Sequence, residues 1–134
     1  MIKQDLQQKY MEFQMLSRQV NILSQQTQLI NNKIIELKTL SQSINEISNI
    51  NKDTEILVPL GAGILMKASI KDSKSLLMNV GADVVLNKTH EEAHAIIESQ
   101  VSELELALSQ TESELAEINS TLMSIQEELS NSNE

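Results

Sequence analysis

Apolar residues recur alternately three and four positions apart in two long stretches of the chain. The first seam runs Ile2, Leu6, Lys9, Phe13, Leu16, Val20, Leu23, Thr27, Ile30, Ile34, Leu37, Ser41 and Ile44, and only Lys9, Thr27 and Ser41 interrupt it. The second runs Ile97, Val101, Leu104, Leu108, Thr111, Leu115, Ile118, Leu122, Ile125 and Leu129, with Thr111 the one break. A seven-residue repeat held over five or more heptads is the pattern of a coiled coil, because a helix wound at about 3.5 residues per turn keeps such a seam facing its partner. At about 1.5 Å per residue, an arm of some forty-five residues reaches roughly 65–70 Å.

Between the arms the period changes from helical to strand-like. Pro59 and the three glycines, Gly61, Gly63 and Gly81, are confined to this middle. Short runs at Glu55–Val58, Ile64–Ile70, Leu76–Val80 and Val84–Leu86 are separated by Gly61-Ala62-Gly63, Lys71-Asp72-Ser73-Lys74 and Gly81-Ala82-Asp83. Runs of this length bounded by turn residues predict four strands in two hairpins. Thr89 followed by Glu92 forms a capping box that starts the second arm. The expected organisation is a helix over 1–52, two hairpins over 53–88 and a returning helix over 89–134. It is a mostly α fold, a long antiparallel two-helix coiled coil with hairpins between its helices. Four short strands cannot bury both of their faces, so Ile56, Leu57, Val58, Ile64, Met66, Leu77, Val80 and Val84 are expected to meet other chains.

Composition narrows the class. The chain has 134 residues with one Tyr, one Phe, no Trp and no Cys, so its core must be aliphatic, and disulfide, thiolate-metal and cysteine chemistry are excluded. The absence of cysteine fits a reducing compartment, and with no apolar leader or uninterrupted apolar span the chain is expected to be soluble and cytoplasmic. The net charge of -9 is unevenly placed: residues 89–134 hold eleven acids and no Lys or Arg. A segment of that kind cannot neutralise phosphates, and stacking aromatics are missing, so neither nucleic acid nor an anionic membrane is expected as a partner.

Few residues suggest catalysis. His90-Glu91-Glu92-Ala93-His94 has the H-E-x-x-H spacing that places two imidazoles on one helix face for zinc. Here it lies at a coiled-coil terminus with no third ligand or cleft expected, and it reads as a helix start with two half-buried histidines. Gly61-Ala62-Gly63 lacks both the third glycine and the following helix of a phosphate loop. No catalytic residue, metal site or cofactor is expected, and the chain is not read as an enzyme.

The segments Glu55–Ile70 and Leu77–Lys88, with the flanking heptad arms, resemble the prefoldin family, and within it the alpha class of archaeal type. The resemblance implies an ATP-independent chaperone subunit. It implies a hexamer of two alpha and four beta subunits whose hairpins form an intersubunit β-barrel body. It further implies that the arms hold unfolded proteins at their tips and deliver them to a group II chaperonin. The residues expected at this chain's tips are Ile2, Leu6, Tyr10, Met11, Phe13, Met15, Met123, Ile125 and Leu129. Tyr10, Met11, Met15 and Met123 stand off the seam, where an apolar group on a solvated helix suggests adaptable binding. A plain coiled-coil tether is the alternative, and it would need no hairpins.

The threonine breaks give a register. If Thr27 and Thr111 share a layer, paired residues have numbers totalling 138, which sets Leu23 opposite Leu115 and Phe13 opposite Ile125.

Overall fold

The computed structural model describes residues 3–132. Helix α1 spans Lys3–Ser48, strands β1 to β4 span Glu55–Gly61, Ile64–Ser69, Ser75–Gly81 and Val84–Thr89, and helix α2 spans His90–Ser132. The chain groups into two compact units, one formed by α1 up to Ile35 with α2 from Ser102, the other by Glu36–Val101. Division by element type thus differs from division by compactness, because each long helix contributes to both units.

In the first unit the two helices pair antiparallel along the seam. Leu23, Ile34, Ile125 and Leu129 are buried, and Phe13, Leu16, Val20, Ile30, Leu104, Leu108, Leu115, Ile118 and Leu122 are half-buried. Each aliphatic side chain that is fully buried in this way contributes about 1.5–3 kcal/mol, which offsets the ordering of two helices that have little else to pack against. Lys9, the cationic break in the seam, is half-buried and forms an ion pair with Glu128. Thr27 and Thr111 are also half-buried, but their hydroxyls donate at 2.9 Å to Leu23 O and Ala107 O in their own helices. The threonines therefore do not depend on one another, contrary to the reason the sequence offered for the register. The register itself fits the cross-helix contacts: Lys9 with Glu128, Ser41 with His94 and Asn45 with His94 each have numbers totalling within three of 138. A heptad slip would move that total by seven.

In the second unit Leu37, Ile44, Ala93 and Ile97 form the buried centre. Ala93 is 1% exposed while His94 beside it is half-buried, so the α2 seam steps back four residues from Ile97 to Ala93 and leaves His94 at its margin. The end of α1 carries no glycine. Asn45 O accepts from two side chains instead, Ser48 Oγ at 2.7 Å and Asn49 Nδ2 at 3.2 Å, while Glu46 O and Ile47 O accept from Asn49 N and Ile50 N at 3.3 and 3.1 Å.

The strands form two separate antiparallel ribbons, β1 with β2 and β3 with β4. Ile56 faces Ala68 and Val58 faces Met66 in the first; Leu76 faces Lys88 and Met78 faces Leu86 in the second. Beyond the first ribbon's base, Asp53 N donates to Ile70 O and Ile70 N to Thr54 O, at 2.7 and 3.0 Å. β4 runs three residues past Leu86, because the ladder continues through Asn87, Lys88 and Thr89. Both turns have positive φ at their two central residues, Ala62 and Gly63 in one, Ala82 and Asp83 in the other, as a two-residue hairpin turn with the right twist requires. Each is preceded by a glycine at φ above 100°, Gly61 or Gly81, and by a register shift at that point. The two ribbons thus repeat one another at an offset of about twenty residues, bulge and turn included.

Candidate functional site

Three features of the sequence offered chemistry or binding: the histidine pair, the ribbons and the open end of the arm.

Helix α2 begins with the capping box that the sequence indicated. Glu92 N donates to Thr89 Oγ1 at 3.1 Å, and Thr89 N donates to Glu92 Oε1 at 3.4 Å. The Thr89 backbone N–H, then the Thr89 hydroxyl and Lys88 Nζ at 3.7 Å, hold the Glu92 carboxyl below its ordinary pKa. His90 uses Nε2 on the Ser73 carbonyl, in the β2–β3 loop. His94 turns to α1 instead, with Nδ1 2.9 Å from Ser41 Oγ and Nε2 2.7 Å from Asn45 Oδ1. The Nε2–H tautomer satisfies both contacts, accepting from Ser41 and donating to Asn45. A metal on His94 would have to break one of them, and the two rings serve different elements. The H-E-x-x-H spacing is used here to fasten a helix terminus to the α1 end and to a loop.

Both ribbons present apolar side chains on both of their faces, Leu57 and Leu65 opposite to Ile56, Val58 and Met66 in the first, Leu77 and Val85 opposite to Leu76, Met78 and Leu86 in the second. Of the residues expected to meet other chains, Leu57, Ile64, Met66, Leu77, Val80 and Val84 are exposed, Leu77 to 74%, and Ile56 and Val58 are half-buried. Leu60, Leu65, Val85 and Leu86 are exposed as well, and the sequence reading passed over them. Their alternation was legible: Leu65 pairs with Pro59 on the face that carries Leu57, and Leu86 pairs with Met78. Beside the second ribbon lies an apolar groove of about 350 Å³, lined by Leu40, Ile44, Ile47, Leu76, Met78 and Ile97 among others.

At the open end of the arm, Tyr10, Met11, Met15 and Met123 are exposed. Leu6 and Phe13 are half-buried. Ile125 and Leu129 are not surface groups, since both are buried in the seam, and their part is to hold the helices together beneath the exposed residues. Ile2 lies outside the described residues. No described helix is long and apolar enough to cross a membrane.

Two long helices that pair antiparallel, with two β-ribbons between them in the chain and apolar surface on the ribbons and at the helix ends, define a class of coiled-coil proteins with β-hairpin insertions. The family model for prefoldin subunits matches residues 16–134, and the chain belongs to the prefoldin family as one of its chaperone subunits. It is 32% identical over 108 residues to prefoldin subunit alpha of Pyrococcus horikoshii, covering 80% of this chain and 73% of that one. It is 30% identical over 130 residues to prefoldin subunit alpha 1 of Methanocaldococcus jannaschii, covering 94% and 86%. Among solved structures, filamentous PFD from Methanocaldococcus jannaschii matches with a TM-score of 0.75 at 17% identity over 86% of this chain and 95% of that one. The prefoldin beta subunit from Thermococcus strain KS-1 matches at 0.63 and 16% identity, over 96% and 91%. The likeness to these two structures is one of fold.

Proposed function

We propose that this chain is the alpha-class subunit of an ATP-independent holding chaperone that grips unfolded polypeptides at the open ends of its coiled-coil arms. Its ribbons dock with those of beta-class subunits, two alpha with four beta, and close an intersubunit β-barrel from which the arms project. Clients pass from the arms to a group II chaperonin in the cytoplasm. The work is binding and release, with no catalytic group and no cofactor.

The observation that carries this reading is the exposure of Tyr10, Met11, Met15 and Met123 on helix ends that are otherwise polar. Met is flexible and polarisable, so it repacks against whatever apolar sequence a client presents. Ribbon residues such as Leu57 and Leu77 are exposed in the middle of the chain, far in sequence from those helix ends, which separates assembly from client holding in the sequence.

Deletion of residues 1–12 and 126–134 tests the separation. Every strand is kept, so the oligomer is expected to survive by sedimentation while suppression of client aggregation falls. Full suppression by the truncated assembly would place client binding elsewhere.

A further inference from the structure

Three exposed residues continue the tip surface inward along α1. Met15, Ile22 and Leu29 are 68%, 55% and 68% exposed and stand seven residues apart, each two positions after a seam residue: Phe13, Val20 and Thr27. A strict heptad spacing keeps them in one line along the supercoil, since that is the repeat to which the coil is wound. Met11, 63% exposed, lies one turn before Met15 and joins the stripe to the tip. Scattered exposed leucines are ordinary on any protein, but four large apolar groups in a row on one helix are not.

The stripe's neighbours three and four residues away include the amides Gln19, Gln25, Gln26 and Asn32, together with Glu12 and the cations Arg18 and Lys33. Across residues 11–32 only Glu12 and Arg18 are charged, whereas the α2 segment of the same unit carries Glu103, Glu105, Glu112, Glu114 and Glu117 without a cation. The stripe therefore lies on a mainly amide surface with Arg18 and Lys33 at its margin, while the other helix of the unit is acidic. Amide side chains both donate and accept, which suits them to the unpaired backbone of an unfolded chain.

Spacing selects the conformation. Seven helical residues advance about 10.5 Å. A polyproline II segment, a major conformer of unfolded chains, returns a side chain to the same side every three residues, or about 9.3 Å. The mismatch is about 1 Å per step, small enough over three anchors for the flexible Met15 side chain to absorb. A β-strand presents one face every 6.6 Å or 13.2 Å, and neither spacing fits as well.

Building on the holding function proposed above, we propose that the Met15, Ile22 and Leu29 stripe is an inner client site. It takes extended, polyproline-like segments with an apolar residue at every third position. One such segment needs about seven to nine residues to span the three anchors.

The test uses the full chain in its assembled state and fluorescein-labelled nine-residue peptides in a Ser/Asn background. One has Leu at positions 2, 5 and 8; a second has the same composition with Leu at 2, 4 and 6. Anisotropy is expected to show tighter binding for the first. The double variant I22Q/L29Q is expected to weaken it about tenfold, and I22M/L29M to restore it. Equal binding of the two peptides, or unchanged binding by I22Q/L29Q, would overturn the inner site. Continued capture of reduced, carboxymethylated α-lactalbumin by the same assembly would then leave the holding function standing. No capture of that protein by the wild-type assembly would remove both. Dissociation of the I22Q/L29Q assembly in sedimentation would show the stripe to be a subunit contact and overturn the site as well.

Discussion

At the scale of single residues, the start of α2 shows how much depends on two short side chains. Thr89 closes β4, opposite Ser75, and caps α2, so one residue must satisfy a ladder and a helix terminus at once. Thr89→Ala removes the side-chain acceptor for Glu92 N and is expected to cost about 1 kcal/mol, the usual value of an N-cap, read as a lower melting temperature. Its partner titrates. Glu92 is held below its ordinary pKa of 4.5, first by the Thr89 backbone N–H and then by the Thr89 hydroxyl and Lys88. Asp72 is held below 3.8 by Lys74 N at 2.9 Å and Ser75 Oγ at 2.8 Å. A carboxyl depressed in the folded state stabilises it above the unfolded pKa and loses that contribution as pH falls through the folded value. Stability from these groups is therefore expected to be flat from neutral pH to about 5 and to decline below 4.5. Glu92→Gln should flatten part of that decline in acid melting curves.

At the scale of elements, the seams and the punctuated middle were readable because each obeys a single physical period. Heptads gave both helices, and the Gly-Ala-Gly and Gly-Ala-Asp triplets gave both turns. What was not readable has equally local causes. Ile125 and Leu129 were grouped with the gripping residues because they sit near an open end, but the seam continues through them and buries them. Ile22 and Leu29 drew no notice because they break no pattern; only their distance from Met15 marks them. The threonines pointed to a register for a reason that their intrahelical hydrogen bonds remove. The register is still open to direct measurement. Cysteines at Leu23 and Leu115 are expected to crosslink under mild oxidation, since a disulfide needs Cα atoms within about 7 Å. Crosslinking of Leu23 to Leu108 or Leu122, with none to Leu115, would refute the alignment.

At the scale of the molecule, the charge and the apolar surface are segregated. Acid is concentrated in the last third, and exposed aliphatics are concentrated on the ribbons and along α1. On the reading proposed above, the acidic helix would disperse a long coil, and the exposed apolar groups of the ribbons would override that repulsion locally where chains meet. The isolated chain is accordingly expected to self-associate at micromolar concentration. A stable, cooperatively folded monomer in sedimentation equilibrium would count against assembly through the ribbons.

The repetition of one ribbon by the other has a consequence in the language of polymer chemistry. A two-stranded ribbon leaves one unpaired ladder on each of its strands, so a chain with two ribbons is tetrafunctional, whereas a chain with one would be bifunctional. Bifunctional units alone make lines or rings. Units of higher functionality set branch points, and a small number of them among many bifunctional ones decides where a ring closes and how large it becomes. The stoichiometry of such an assembly is then governed by the supply of two-ribbon chains.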